Sequence, residues 1–440
     1  MTERVYSHPT ENWRAPISSG PLNAIVPIPG SKSLTNRELV LAALSESPSV
    51  LHKPLSSRDS ALMCDALRNL GVDCAVTLNE TTDIIEITPS KLTGNTTIDC
   101  GLAGTVMRFV PPIAALANGD VTFDGDEGAR RRPMATTIDS IRKLGVEVSD
   151  DGRGTLPFTV HGTGRVRGGD ITIDASASSQ FVSGLLLAAA RFDEGLTLRH
   201  SGDHVPSMPH IDMTVQCLRA HGVAVSIPEP GVWRVEPGPI RGLDLVIEPD
   251  LSNAAPFLCA AVIAGGTVTI PDWPEHTTQV GADLATYLPM FGATVSRSAD
   301  GLTVDGGVGL RGGHFIPGVT LDLSTGGELA PALVALAALA DGPSEFTGIA
   351  HLRGHETDRL AALVAEINKR GGRATELPDG IRLEPAPLHG GEWHSYHDHR
   401  MATAGAIIGL AVEGIEVENI GTTSKTLPDF PRLWAQLVGA

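Results

Sequence analysis

Residues 29–37, Pro-Gly-Ser-Lys-Ser-Leu-Thr-Asn-Arg, set Lys32, Arg37 and the hydroxyls of Ser31 and Ser33 directly ahead of the apolar run 39–44. A helix starting there would turn unpaired first-turn N–H groups and the positive end of its dipole toward an anion. Lys32 adds a point charge, Arg37 a planar fork, and the serines hydroxyl donors. The spacing predicts a cradle for phosphate or carboxylate. It is not the loop that binds nucleotide triphosphates, because Ser31 precedes the lysine and Ile25-Val26 occupy the place of that loop's first glycine.

Polar motifs of related character recur along the chain. Gly104 and Thr105 suit close backbone approach, with Arg108 following for charge. Arg130-Arg131-Arg132-Pro133 places three cations side by side, which is costly unless an anion or carboxylates neutralise them. Ser178, Ser179 and Gln180 offer hydroxyls and an amide to phosphate or polyol oxygens. Glu328 lies in Gly-Gly-Glu-Leu-Ala-Pro, and Glu356 and Arg359 follow in residues 351–359. Arg400 sits in Asp-His-Arg-Met and Lys425 in Ser-Lys-Thr-Leu-Pro-Asp. The pairs His351/His355 and His397/His399 have metal-compatible spacing but no third ligand is marked. No nucleophile elbow surrounds Ser178-Ser179, which argues against covalent serine chemistry.

The elements that must position these groups show up as a repeat. An Ala/Leu-rich helix, a small turn residue and a β-branched strand occur six times, with turns at 47, 119, 195, 266, 342 and 414, a step held between 71 and 76. Five intervals also carry a helix ending at Gly71, Gly145, Gly222, Gly292 or Gly371, where a C-cap needs positive φ, and then a pair of alternating strands. Each unit reads βαβαββ over about 70 residues, too long for a solenoid repeat, and six such units group into two α/β domains of three. The helices are apolar nearly all round and should be buried beneath sheets. A cleft between two such domains is the natural place for a small ligand.

Composition narrows the partners. Across 440 residues, 33 Lys and Arg against 51 Asp and Glu give a net charge of −18, unsuited to nucleic acid or an anionic membrane. An anion site must therefore be a local positive focus in an acidic shell. Cys64, Cys74, Cys100, Cys217 and Cys259 are scattered without paired spacing, as reduced thiols of a cytoplasmic protein are. Residues 1–13 are polar and lack the apolar core of a secretion signal, and no stretch near 18 residues is apolar enough to span a bilayer.

Taken together, Pro-Gly-Ser-Lys-Ser…Asn-Arg, Ala-Gly-Thr…Arg, Arg132-Pro133, Ser-Ser-Gln, Glu-Thr-Asp-Arg, Asp-His-Arg-Met and Lys-Thr-Leu-Pro-Asp resemble the 5-enolpyruvylshikimate-3-phosphate synthase family over residues 29–431. The resemblance implies a two-domain enolpyruvyl-transferase fold, three βαβαββ units per domain around buried helices, with the active site in the interdomain cleft. It implies a first domain of residues 1–29 and 248–440 and a second of 30–247. It implies the joining of phosphoenolpyruvate to the 5-hydroxyl of shikimate 3-phosphate with release of phosphate, by a cytoplasmic monomer without metal or cofactor.

By the same resemblance Lys32, Ser33, Arg37, Ser178, Ser179, Gln180, Ser207, Glu328, His351 and His355 would hold shikimate 3-phosphate. Lys32, Gly104, Arg132, Gln180, Arg359, Arg400 and Lys425 would hold phosphoenolpyruvate. Glu328 would be the base for the hydroxyl and Glu356 the proton donor to the methylene carbon, with Lys32 assisting. The family often has Asn at position 102, Asp at 328, Asn at 351 and Lys at 355, where this chain has Leu102, Glu328, His351 and His355. Gly104 leaves the room beside phosphoenolpyruvate that glyphosate-sensitive members have. The sister transferase acting on UDP-N-acetylglucosamine fits less well: it uses a loop cysteine, whereas Cys100 here leads into a helix, and it has Lys-Asn where Lys32-Ser33 stands. A non-catalytic anion binder would have no need of Glu328 and Glu356.

Overall fold

Each of the six apolar stretches forms a helix that starts on a polar motif. In the computed structural model, which describes residues 12–78 and 83–439, these are α1 (Lys32–Leu44), α2 (Gly104–Ala114), α3 (Gln180–Ala189), α4 (Leu251–Ala264), α5 (Ala330–Ala337) and α6 (His399–Gly409). The polar residues 1–11 lie outside that description. Every position of α2 and α5 is buried, as expected of helices without a polar face.

The chain divides into two compact units, Gly30–Glu248 and Met1–Pro29 with Pro249–Ala440. Within each, three of the long helices pack on one another and on three small sheets, and the two hydrophobic cores have no residue in common. Five sheets share one four-stranded topology. In a representative one, Asn118–Asp124 runs parallel to Thr96–Asp99 and antiparallel to Phe158–Thr163, which pairs on with Val148–Ser149. The sixth is three-stranded: Gly391–Trp393 lies parallel to Ile415–Val417, and Trp13–Arg14 pairs antiparallel on the other side. No alternating strand pair follows the sixth helix, so a segment from the other end of the chain supplies the third strand. Leu22–Ile25 likewise adds to Gly266–Ile270. All five glycines expected at helix ends take φ between +83° and +92°.

One contact decides how closely α2 and α3 approach. Pro112 has no N–H, so the Arg108 carbonyl four residues earlier receives no helical bond from it. Gly184 of α3 packs on that carbonyl, with an added Cβ falling 2.2 Å from the oxygen. Only glycine fits there, and the approach brings together the starts of the two helices. Among the described residues no helix is long and apolar enough to cross a membrane.

The sequence pattern places the onset of α1 after Arg37; the structure places it at Lys32. Ser31 is the cap, its Oγ accepting from the Leu34 N–H at 3.4 Å. Lys32, Ser33, Asn36 and Arg37 therefore ride on the helix itself, because Asn36 and Arg37 have buried partners that a loop would not meet.

Candidate active site

In the Gly30–Glu248 unit, Lys32, Gly104 and Gln180 are the first residues of α1, α2 and α3. Three helix starts thus present the positive ends of their dipoles, each equivalent to about half a charge. The Asn36 amide donates to Thr105 Oγ1 at 2.7 Å and ties α1 to α2. A Cβ on Gly104 would lie 3.0 Å from Gln180 Oε1, 3.1 Å from Arg132 Nη2 and 3.3 Å from Arg108 Nη1. Glycine there keeps open a space faced by an amide and two guanidinium groups.

The arginine row separates by partner. Arg130 pairs with Asp124 and Arg131 with Glu127, each at 2.7 Å, whereas Arg132 makes no ion pair among the described residues and donates to the Leu102 carbonyl at 3.2 Å. Arg108 is buried over the Phe181 ring. Lys32 lies 3.7 Å from Asp59, a residue for which the sequence carries no motif.

The remaining residues expected around shikimate 3-phosphate are placed as follows. Ser178 Oγ accepts from the Gln180 N–H at 3.2 Å, and Ser179 beside it is buried. Ser207 holds φ +54°, an uncommon backbone conformation for a serine. Arg37 points inward, only 2% exposed, stacked over Phe109 and donating to Thr214 Oγ1 and the His210 carbonyl at 2.8 Å and to the Ser33 carbonyl at 2.9 Å. It ties α1 to the segment that carries His210 and Thr214.

The other unit gathers carboxylates among cations. Arg359 is 2% exposed; Nε donates to Asp398 Oδ2 at 2.7 Å, and Nη2 to Asp398 Oδ1 at 3.1 Å and Glu356 Oε2 at 2.9 Å. Burial would lower its pKa, but Asp398 and then Glu356 outweigh burial and the guanidinium is held above its ordinary value. The Lys425 ammonium donates to the other Glu356 oxygen, so Glu356 bridges two cations. His355 Nδ1 lies 3.5 Å from Arg359 Nη1; a guanidinium only donates, which leaves the second ring nitrogen to carry the hydrogen. Glu328 precedes α5 in the turn Gly327–Leu329 and accepts from the Ser252 hydroxyl. His351 packs against Gly327, next to Glu328. Arg400 is the second residue of α6 and, with Ser252, Asn253, His399 and Thr423, lines a small cavity.

Two contributors have no place in the sequence-derived set. Asp398 orients Arg359, and Ser252 orients Glu328. Both lie at starts of long helices, and the repeat itself was the available signal: the fourth junction, 250–253, should have carried polar residues as the other five do. Cys100 is fully buried, and burial followed by Asp99 pushes its thiol well above the ordinary range, so it stays a protonated core residue.

Comparison with known proteins places the chain in a family. The family model described as EPSP synthase (3-phosphoshikimate 1-carboxyvinyltransferase) matches residues 17–434. A relative from Kocuria rhizophila named 3-phosphoshikimate 1-carboxyvinyltransferase is 57% identical over 451 aligned positions, covering 100% of both chains. Among solved structures, EPSP synthase from Acinetobacter baumannii superposes with a TM-score of 0.79 at 24% identity, covering 97% of this chain and 98% of that one. The enolpyruvyl transferase NikO from Streptomyces tendae gives 0.74 at 18% identity, covering 96% of each. Those two show a shared fold. On the strength of the full-length match in sequence, the chain belongs to the EPSP synthase family.

Proposed function

We propose that the protein transfers the enolpyruvyl group of phosphoenolpyruvate to the 5-hydroxyl of shikimate 3-phosphate, releasing phosphate, as a step of the shikimate pathway to aromatic amino acids. The observation that carries this reading is the pair of oriented carboxylates, Glu328 fixed by Ser252 and Glu356 bridging Arg359 and Lys425. Addition needs a base and an acid. The 5-hydroxyl oxygen bonds to carbon 2 of phosphoenolpyruvate as its proton leaves and a proton enters at the methylene carbon. Loss of phosphate and of a methyl proton from that tetrahedral adduct restores the double bond.

Glu328 takes the hydroxyl proton in this scheme. Glu356, accepting from Arg359 and Lys425, relays a proton from the Lys425 ammonium to the methylene carbon and takes the methyl proton back in the elimination, while Glu328 passes the hydroxyl proton to the departing phosphate and Lys32 assists. Arg132, Arg359, Arg400 and Lys425 receive the carboxylate and phosphate of phosphoenolpyruvate, with Gly104 and Gln180 framing it. Ser33, Arg37, Ser178, Ser179, Gln180 and Ser207 receive shikimate 3-phosphate, together with Lys32, Glu328, His351 and His355. Both sets act on one substrate pair. The enzyme works as a monomer in the cytoplasm, consistent with five buried cysteines, none in a disulfide, and glyphosate competes for the phosphoenolpyruvate subsite.

Phosphate release tests the reading. It should appear with phosphoenolpyruvate and shikimate 3-phosphate and be absent with UDP-N-acetylglucosamine; the reverse preference overturns the assignment. Solvent deuterium should enter the methylene of phosphoenolpyruvate in the wild type and be lost in Glu356→Gln.

A further inference from the structure

Behind the Ser33 side of the site lies a buried polar pair to which the reaction assigns nothing. His221 is fully buried and Glu38 nearly so. The ring's Nε2 lies 2.7 Å from Glu38 Oε2, and its Nδ1 lies 2.5 Å from the Arg241 carbonyl oxygen. A carbonyl only accepts, so Nδ1 carries a hydrogen. The Nε2 contact then needs a second proton, either on the ring or on the carboxyl, and that one proton holds the pair together.

Glu38 follows Arg37 on α1, and the two residues grip the same neighbour. Arg37 donates to the His210 carbonyl and to Thr214 Oγ1, both at 2.8 Å, while Glu38 meets His221. His210 and Thr214 belong to the helix Pro209–Ala220, and His221 is its C-cap. Positions 210, 214 and 221 fall on one stripe of that helix, spanning about three turns. Apolar packing tolerates small sliding of one helix along another, whereas directional contacts at both ends of a stripe do not. Sliding would matter here. Ser207, at φ +54°, accepts from the His210 N–H at 3.0 Å just ahead of the helix, and Ser33 accepts from Arg37 on α1.

We propose that Glu38 and His221 are positioning residues: their shared proton fixes the register of the helix Pro209–Ala220 on α1 and so sets Ser207 against Ser33. The proposal rests on the assignment of Ser33 and Ser207 to shikimate 3-phosphate. The test is steady-state kinetics with each substrate varied in turn. Glu38→Ala and His221→Ala should each raise KM for shikimate 3-phosphate about tenfold, the loss of one charged hydrogen bond. KM for phosphoenolpyruvate and kcat should stay within about twofold. The double variant should be no worse than either single one, because the pair acts as a unit.

Glu38→Gln should recover most of the loss, since its amide can donate to Nε2 while Nδ1 keeps its hydrogen on the Arg241 carbonyl. Unchanged KM for shikimate 3-phosphate in folded alanine variants overturns the proposal, as does an equal rise for both substrates. If the alanine variants do not fold, His221→Gln is read by the same split in KM. A wild type that fails to turn over shikimate 3-phosphate would instead sink the assigned reaction. Amide hydrogen exchange along Pro209–Ala220 then decides the register claim: faster exchange in Glu38→Ala supports it, and unaltered exchange overturns it.

Discussion

Arg359 and Asp398 meet side by side, through Nε to Oδ2 at 2.7 Å and Nη2 to Oδ1 at 3.1 Å, and Asp398 Oδ1 also accepts from the Arg400 N–H at 2.8 Å. One carboxylate therefore orients two of the expected phosphoenolpyruvate ligands: it holds the Arg359 side chain and caps the helix on which Arg400 rides.

Removing that carboxylate should act on stability and binding together. Asp398→Ala leaves a buried guanidinium short of its main partner, a change that costs about 3–5 kcal/mol. Urea unfolding reads the loss, and KM for phosphoenolpyruvate should rise at least about tenfold in the protein that remains folded. A stability change below about 1 kcal/mol, the scale of an exposed pair, would show that Asp398 does not carry this load.

The arginine row gives an internal control. Arg130 and Arg131 are exposed and answered by Asp124 and Glu127, so their alanine variants should leave KM for phosphoenolpyruvate within about twofold. Arg132→Ala should raise it by at least about tenfold, since an Arg–phosphate or Arg–carboxylate contact is worth more than an ordinary hydrogen bond. Equal effects at all three positions would mean that net charge alone matters.

Gly104→Ala adds a methyl group 3.0–3.1 Å from Gln180 Oε1 and Arg132 Nη2. Both neighbours are ends of flexible side chains, so the fold should survive with a loss below about 1 kcal/mol. The space between them shrinks, and glyphosate inhibition should weaken more than phosphoenolpyruvate binding. Competition assays in the variant check this; unchanged inhibition would place glyphosate elsewhere.

Acid sensitivity should trace in part to Asp150. Its carboxylate accepts from Arg142 Nη2 at 2.7 Å and from the N–H groups of Gly154 and Gly152 at 2.8 and 3.1 Å. Arg142 first, and then the Gly154 N–H, pull its pKa down to about 2. The unfolded value is about 3.9, so the folded state favours the charged form. The resulting stability, about 2 kcal/mol, is fully present above about pH 4 and disappears as pH falls toward 2. Asp150→Asn should thus be less stable than the wild type at pH 7 by about that amount, with the gap closing near pH 2. A gap that does not change with pH would count against the linkage.

Much of the fold was legible because periodicity reports burial. Six apolar helices and five glycine caps could be counted from residue types alone. The start of α1 was misplaced because Asn36 and Arg37 look like loop residues until Thr105, Thr214 and His210 are brought beside them. That information is tertiary. The inward set of Arg37 and the split within the arginine row were hidden for the same reason, since a guanidinium looks alike in sequence whether a carboxylate answers it or not. Ser252 and Asp398 were readable in principle, one from the rhythm of the repeat and the other from its place beside Arg400. Gly184 was not readable at all, because the need for it arises from a proline on a different helix.

The three-stranded sheet has a consequence for the order in which the molecule can form. Residues 30–248 contain every strand of their own three sheets, so that half can close as soon as it has left the ribosome. The other half cannot. Leu22–Ile25 waits for Gly266–Ile270, and Trp13 waits for Val417, near the far end of the chain. Residues 13–14 and 22–25 are made well before the partners they need, and until then an unpaired strand edge must stay shielded from other chains.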